Sequence, residues 1–495
     1  FVAGGRRTTW NSAGWQECPA DLLLTLAKSQ AELDGALNEL LKAPLGKVQR
    51  LGYPSLNDPR DMVFRSRVRP TELLNHSTAV QYRLAEEQGD SQHLPEHAIG
   101  LGYQNLLSLS FSLLSFENDR AQPPVNATSG VAPAPKPVHL VLLEEPEAHL
   151  HVQVHHTFVH KAYDLVKPSL AGLSSQLVLS THSSHMAYAL PFQHLRFFRR
   201  VPPPDQSTLP TSVVLGLSDA FGEDRETRRF VERYLRLQHS DLLFADAAIF
   251  VEGTAERMLI PSFVERGWPA LTERYLSYLE LGGSHAHRWR PLVERLGLTC
   301  LIITDLDPLT VTPATTPSGH PTKKTRKAPV DRTAVQITAN PTLADWLPEK
   351  KCISSAIAAS DADKERALGV WTDAKVRVAY QVAAEGSDAC ATSFEDALLL
   401  ENRAWFKALP EETTGALGAM RKLAVDHTND AELARAAHEM LAANFDKGAF
   451  ALDLLFAQPG TTEPGKDPVQ CPRYVREGLD WLVEQLTLRG RGADA

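Results

Sequence analysis

Four times this sequence runs a short, almost wholly apolar stretch into a polar or acidic tip, with segments of helical spacing between them. The stretches are VHLVLLE (138–144), QLVLSTHSS (176–184), AAIFVEG (247–253) and TCLIITDLD (299–307). Each is short enough for a strand and apolar enough to be covered on both faces, as parallel strands between helices are. Helical spacing follows at about 150–166, 255–266 and 286–296, and the alternation predicts an α/β chain. Open sheets of this kind bind ligands beyond the carboxyl ends of their strands. The acids at those tips are therefore the first places to look for chemistry.

Bulk properties narrow the class. A chain of 495 residues with 43% apolar and 22% charged residues has material for two or three cored domains. Its five cysteines stand apart with no CxxC pair, which argues against a disulfide framework or zinc ribbon and for a reducing cytoplasm. The sequons at Asn75 and Asn126 then carry no meaning. No apolar run reaches a membrane span and no signal peptide opens the chain, so no membrane role is expected. A net charge of −9 disfavours nonspecific coating of nucleic acid but allows a nuclease, whose metal-binding acids count as negative until the metals arrive. The chain begins at Phe1 without an initiator methionine, which fits a fragment.

Residues 20–51 read as two helices broken near Pro44, and residues 1–60 as a helical arm that could serve dimerisation. Strands with a turn follow at 61–84, then a glycine turn and apolar helix at 99–117 and a Pro/Ala/Asn/Ser loop at 118–137. A first lobe extends over 61–217, closing with edge strands or a hairpin at 193–217, and a connecting helix occupies 218–243. The second domain spans 244–400 and includes a Thr/Pro-rich stretch, 308–332, read as a mobile loop carrying KKTRK. Residues 401–495 are mostly helical and complete or flank that domain.

In the first lobe, LVLLEEPEAHLH (140–151) ends a strand on Glu144 and Glu145, and LVLSTHSSH (177–185) ends the next with His182. This is the order of a Walker B strand and a γ-phosphate-sensing histidine, with Glu144 at the magnesium position and Glu145 at the catalytic-base position. IGLGYQN (99–105) has the look of a signature loop that meets a partner's nucleotide. The phosphate-cradling loop is missing. The nearest match, GTTEPGKD (460–467), has Asp467 where a hydroxyl belongs, is followed by Pro468, and reads better as a turn between helices. The block resembles the RecF/SMC-like branch of ABC ATPases, which implies a P-loop preceding Phe1 and ATP as cofactor only in a longer form. His149, His151, His155, His156 and His160 raise a zinc reading, since His151 and His155 share a helix face, but no cysteine is near.

In the second domain, FVEGTAE places Glu252 at a strand end and Glu256 at a helix start, while TDLDP places Asp305 and Asp307 at the end of the next apolar strand. Positions i and i+2 on a strand face one way, so the aspartates can converge. If the strands are parallel neighbours, all four acids gather at one rim. Such a cluster calls for divalent cations, and an all-oxygen set selects Mg²⁺, Mn²⁺ or Ca²⁺. Two ions about 4 Å apart would clamp the attacking and leaving oxygens of a phosphodiester.

Strand-Glu-Gly followed by strand-DxD resembles the Toprim fold. Behind an ABC-type lobe it is similar to the overcoming lysogenization defect (OLD) family of nucleases, including those of Gabija-type phage defence. The resemblance runs from about residue 60 to the end. It implies a partial ABC-type ATPase lobe with a helical arm, then a Toprim domain with a Rossmann-like parallel sheet and helical additions. It also implies Glu252, Glu256, Asp305 and Asp307 as ligands of two metal ions, Mg²⁺ foremost, acting on DNA, and a homodimer. ATSFEDALL adds Glu395 as a further metal-binding acid, against a plain role as a helix-start acid. DKGAFALDLL adds Lys447 as a charge stabiliser on the phosphate, against an exposed helix-start lysine. Asp246, just before the strand, is a weaker candidate.

Lys323, Lys324, Arg326 and Lys327 follow the DxD directly and are the best candidates for DNA phosphates, ahead of Arg199, Arg200 and the tail at Arg489 and Arg491. The expectation is a metal-dependent DNA endonuclease whose ATPase part is regulatory. Two alternatives share its residues. A RecF/SMC-like scaffold would keep the Toprim fold without cutting. A topoisomerase needs a nucleophilic tyrosine module and a primase a zinc ribbon, neither of which is visible.

Overall fold

The computed structural model describes residues 20–49, 61–66, 78–83, 93–95, 98, 100–121, 136–168, 173–201, 211–235, 240–315, 321–369, 373–384, 386–443, 445–457 and 468–493. They form two compact units, Phe1–Leu190 and Pro191–Ala495.

The first unit opens with helix α1 (Ala20–Gln49), one helix through Pro44 where two were expected. An antiparallel sheet follows, β1 (Asp61–Ser66), β2 (Thr78–Arg83) and β3 (His93–Pro95). Then come α2 (Leu101–Ala121), β4 (Val138–Glu144), α3 (Val152–Val166), β5 (Ser174–Ser180) and α4 (Ser184–Ala189). β4 and β5 pair in parallel with Glu144 opposite Ser180, so both polar tips leave the sheet on one side. One core holds Val141 of β4, Leu106 and Leu113 of α2, Phe158 and Leu165 of α3, and Leu45 of α1. The expected arm therefore contributes to this lobe's interior. The strand's alternate residues Val138, Leu140 and Leu142 are exposed. Of the loop expected at 118–137, residues 118–121 belong to α2, 136–144 carry Lys136, Pro137 and β4, and the rest lie outside the described residues.

The second unit begins with hairpin β6 (Arg196–Val201) and β7 (Thr211–Gly216), then α5 (Arg225–Tyr234). The hairpin was expected to belong with the ATPase lobe. It lies instead in this unit, with Phe192, Leu217 and Phe221 in its core. Next come β8 (Ala247–Val251), α6 (Thr254–Gly267), α7 (Pro269–Thr272), β9 (Leu276–Glu280), α8 (Arg290–Leu296) and β10 (Thr299–Ile303). β11 (Pro308–Thr315), β12 (Pro321–Lys327) and β13 (Gln336–Thr338) form a separate sheet. Then follow α9 (Pro341–Trp346), α10 (Ile353–Ile357), β14 (Glu365–Ala367), β15 (Lys375–Ala379) and α11 (Phe394–Glu401). The chain closes with α12 (Arg403–Lys407), α13 (Gly415–Asp426), α14 (Asp430–Ala442), α15 (Lys447–Ala457) and α16 (Arg473–Ala493).

The central sheet has the order β14-β15-β10-β8-β9, parallel except for β14 at one edge. Every residue of β8 and β10 is buried, which requires cover on both faces. Ala247, Ile249 and Val251 face the helices α6 and α11–α16, while Ala248 and Phe250 face Trp289, α8 and α9. α16 lies close over β10 because Gly478 carries no side chain; a Cβ there would stand 2.7 Å from Leu301. Register pairs Phe250 with Ile302, so Glu252 and Thr304 emerge side by side at the carboxyl edge.

The basic stretch is not a loop. KKTRK lies on β12, paired antiparallel along the whole of β11, with β13 on the other side of β11. Threonine-rich strands pair readily, and a composition rich in Thr and Pro was misread as irregular. Among the described residues no helix is long and apolar enough to cross a membrane.

Candidate active site

The carboxyl edge of β8 and β10 brings together Glu252, Glu256, Asp305, Glu395 and Lys447. Glu252 follows β8, and its Oε1 accepts from the Thr304 hydroxyl, from Asp305 N–H at 3.1 Å and from Asn340 Nδ2 at 2.8 Å. Glu256 sits in the first turn of α6, 3% exposed, with Oε2 lacking any hydrogen bond. Asp305 Oδ1 accepts from Gln381 Nε2 at 2.8 Å. Glu395, in the first turn of α11, is fully buried and pairs with Lys447 Nζ at 2.8 Å.

The electrostatics follow from crowding like charges in a dry place. Burial raises Glu252, against the hydrogen bonds from Thr304, Asn340 and Asp305, and Asp307 raises it further. Burial and then Glu395 push Glu256 up to about 8, with Lys447 opposing. Burial and Glu252 hold Asp305 well above the usual carboxylate range. Burial pulls Lys447 down, but Glu395, Asp305 and Glu256 outweigh it, and the ammonium ends well above its ordinary value.

The helix-start role weighed for Glu395 belongs to its neighbour. Asp396 closes the capping box with Ser393 and accepts from Thr392 as well, leaving Glu395 for Lys447. Lys447 opens α15 and its side chain is 43% exposed, so one end of the cluster reaches solvent.

Asp307 arrives differently from expectation. β10 ends at Ile303, so Asp305 and Asp307 lie on a turn, and Asp307 has φ +44°. With Glu145 (φ +43°) and His149 (φ +64°) it is one of three non-glycine residues in the left-handed region among those described, all in the two acid-tipped loops. Such conformations persist where surrounding structure enforces them, and they concentrate at functional loops.

The donors suit a hard divalent cation in chemistry: carboxylate oxygens only, with Glu256 Oε2 and Glu395 Oε1 buried and without hydrogen-bond partners. Among the described residues, however, no three His, Cys, Asp or Glu side chains converge as an ion would require.

Asp246 lies at the amino end of β8, where its Oδ2 accepts from Tyr275 N–H at 2.9 Å. It ties β8 to the start of β9 at the opposite edge from Glu252 and is no part of the cluster. Arg199 donates to the Leu296 carbonyl and is structural. Arg200 is exposed, and the side chains of Arg489 and Arg491 lie outside the described residues. Lys323, Lys324, Arg326 and Lys327 are all exposed on β12, and no ion pair engages them among the described residues.

In the first unit, Glu145 Oε1 stands 3.2 Å from His182 Nε2. Glu147 Oε1 accepts from the Thr181 hydroxyl at 2.6 Å and from His182 N–H at 2.8 Å, bracing both tips. Of the glycine turn at 99–105, residues 101–105 open α2, which packs on this loop, and Ile99 lies outside the described residues. A Cβ on Gly102 would meet the His149 carbonyl at 2.5 Å, and Asn105 Nδ2 donates to the Ala148 carbonyl at 2.6 Å. Zinc is not supported: both ring nitrogens of His155 are engaged, by the Leu150 carbonyl and the Ser183 hydroxyl, and His151 Nδ1 accepts from Gln153 N–H. GTTEPGKD lies outside the described residues.

Sequence reasoning passed over Thr304, Asn340, Gln381 and Glu147. Gln381 stands two residues beyond β15, whose Lys375 and Arg377 keep that strand from reading as an apolar run like β8. Asn340 before Pro341 reads as a helix cap, which it is, but its second role at Glu252 leaves no mark in the sequence.

Comparison with known proteins agrees with this division. Residues 17–187 match the AAA ATPase domain family and residues 243–307 match the "Overcoming lysogenization defect protein-like, TOPRIM domain". Endonuclease GajA of Bacillus cereus (strain HuB5-5) is 25% identical over 453 residues, 87% of this chain and 59% of that protein. The chain thus spans less than two thirds of that relative's length. The C-terminal region of the Burkholderia pseudomallei OLD protein is 20% identical, covering 49% of this chain and 99% of that one, with TM-score 0.27. The corresponding region from Xanthomonas campestris pv. campestris is 16% identical over 51% of this chain and 98% of that one, also with TM-score 0.27. Superposition at that level decides nothing about the site. The chain thus combines a segment similar to the AAA ATPase domain family with a later segment similar to the TOPRIM domain of overcoming lysogenization defect proteins.

Proposed function

We propose that this chain hydrolyses phosphodiester bonds of DNA with divalent cations, Mg²⁺ or Mn²⁺, held by Glu252, Glu256, Asp305 and Asp307, with Glu395 as a further ligand. The observation that carries the reading is the nearness of four acids at the carboxyl edge of a parallel sheet: Glu395 pairs with Lys447, Asp305 and Glu256 feel the same ammonium, and Glu252 accepts from Asp305 N–H. A structural cluster has no reason to hold Glu252, Glu256 and Asp305 above their ordinary pKa, whereas a site awaiting cations does. When bound, the cations would supply an activated water and Lewis-acid stabilisation of the phosphate.

The chain's own residues do the rest. Glu252 and Asp305, held from two adjacent strand ends, set the spacing of the ligands. Lys447 is charged throughout the neutral range and partly exposed, placed to steady developing negative charge on a phosphate oxygen. Lys323, Lys324, Arg326 and Lys327 would grip the DNA backbone, since β11 leaves the acidic loop directly. Glu144, Glu145 and His182 would serve ATP, acting as a regulator, and the working unit would be a homodimer.

The test is nicking of supercoiled plasmid with Mg²⁺, Mn²⁺ or EDTA and no ATP, with Glu252→Ala and Asp305→Ala alongside. Metal-dependent cutting lost in both variants is expected. A folded chain that leaves the plasmid intact under both metals would overturn the reading in favour of a non-cleaving scaffold.

A further inference from the structure

The acids of this cluster need holding as well as charge balance, and two buried amides hold them. Asn340 is completely buried between β13 and α9. Its Oδ1 accepts from Thr342 N–H at 2.9 Å and Leu343 N–H at 3.2 Å, the cap of α9, which fixes which end of the amide points where. Its Nδ2 is thereby aimed at Glu252 Oε1, the Thr304 hydroxyl and the Asp305 carbonyl, each at 2.8 Å. Gln381, also completely buried, repeats the device at the end of β15. Its Oε1 accepts from Leu306 N–H at 2.9 Å, and its Nε2 donates to Asp305 Oδ1 at 2.8 Å and lies 3.3 Å from the Tyr474 hydroxyl.

In both cases the amide engages one carboxylate oxygen. Glu252 Oε2 and Asp305 Oδ2 have no hydrogen bond among the described residues. The donors are neutral, so they orient each acid without cancelling the charge a cation needs. A lysine or arginine in either place would order the acid and neutralise it.

We propose that Asn340 and Gln381 are positioning residues of the metal site, Asn340 locked at its oxygen end by two backbone N–H groups and Gln381 by one, each engaging one oxygen of Glu252 or Asp305 and leaving the other for a cation. This rests on the metal-dependent reading above. Outer partners of this kind typically change metal affinity by about 10–100-fold when altered.

The test is Mn²⁺ titration, by thermal shift and by plasmid nicking, of the wild-type chain, Asn340→Asp, Gln381→Glu and Glu252→Gln. The two isosteric acids keep the acceptor for the locking N–H groups and lose the donor to the carboxylate. The Mn²⁺ midpoint should rise by about 10–100-fold in each, in both readouts, with the rate at saturating Mn²⁺ largely kept. Should an added charge impair folding, Asn340→Ser, which still caps α9, and Gln381→Met carry the same expectation. Midpoints equal to wild type, or a lower saturated rate with an unchanged midpoint, would overturn the proposal while Glu252→Gln still loses its Mn²⁺ response. A wild-type chain with no Mn²⁺ response in either readout would overturn the metal reading and this proposal with it.

Discussion

Replacing Glu256 with glutamine in the metal-free protein isolates the electrostatic cost of the site. Glu256 is 3% exposed, one of its oxygens has no hydrogen bond, and burial with Glu395 beside it raises its carboxyl from 4.5 to about 8. Between those two values the folded chain keeps a proton that the unfolded chain has released. The contribution is therefore fully present below about pH 4.5 and is lost as pH rises through about 8. At ~1.36 kcal/mol for each pH unit crossed, the loss amounts to about 5 kcal/mol at most. Glutamine has the same shape and no proton to lose, so Glu256→Gln should remove this slope. Glu252 and Asp305 titrate in both proteins, and because Glu256 also helps raise Asp305, the difference between the two reports Glu256 together with its coupling to Asp305. The assay is urea denaturation in EDTA at a series of pH values across this window. The variant should gain on the wild type steadily as pH rises. A stability difference that does not change with pH would refute the assignment of the raised carboxyl to Glu256. The same proton competes with cations, so Mn²⁺ affinity of the wild type should rise by up to about tenfold per pH unit below about 8, a gain Glu256→Gln forgoes.

Replacing Lys323, Lys324, Arg326 and Lys327 with glutamine should weaken DNA binding and flatten its salt dependence by about 0.9 in log–log slope for each phosphate that is no longer neutralised, read by fluorescence anisotropy at several salt concentrations. Lys447→Met leaves Glu395 buried without its cation. It should destabilise the metal-free chain by about 1–3 kcal/mol in denaturant melts, below the ~3–5 of a fully buried pair because the lysine is partly exposed. Mn²⁺ should restore part of that loss. Gly102→Ala places a methyl against the His149 carbonyl and should cost about 1–3 kcal/mol, with hydrogen exchange rising in the loop at residues 144–151.

Much of the fold was legible. The apolar stretches before Glu252 and Asp305 are strands where the pattern put them, since a strand covered on both faces must be apolar throughout, and the stretch ending on Glu144 is a strand too, although its alternate residues Val138, Leu140 and Leu142 are exposed. Helix spacing located α3, α6 and α8 within a few residues. The errors have local causes. Pro44 was read as a break, yet α1 continues through it. Thr/Pro composition at 308–332 was read as irregular, yet a register of paired strands holds it. The hairpin at 193–217 was assigned by its nearness in sequence to the ATPase motifs, yet its apolar residues find their core in the second unit. Asp246 was admitted for lying near the strand, yet it sits at the wrong end.

By itself the sequence determined which acids stand at strand ends, because hydrophobic runs and their polar tips are local properties of the chain. Glu252, Glu256, Asp305 and Asp307 are visible in that way, and Glu395 and Lys447 through their resemblance to a family. Only the tertiary structure decided what stands between them. Thr304 and Asn340 are 36 residues apart and meet on one oxygen of Glu252, while Gln381 and Tyr474 are 93 apart and meet beside Asp305. Hydrogen bonds of that span leave no periodicity and no motif; they exist only once the parallel strands have packed and brought their ends to one edge.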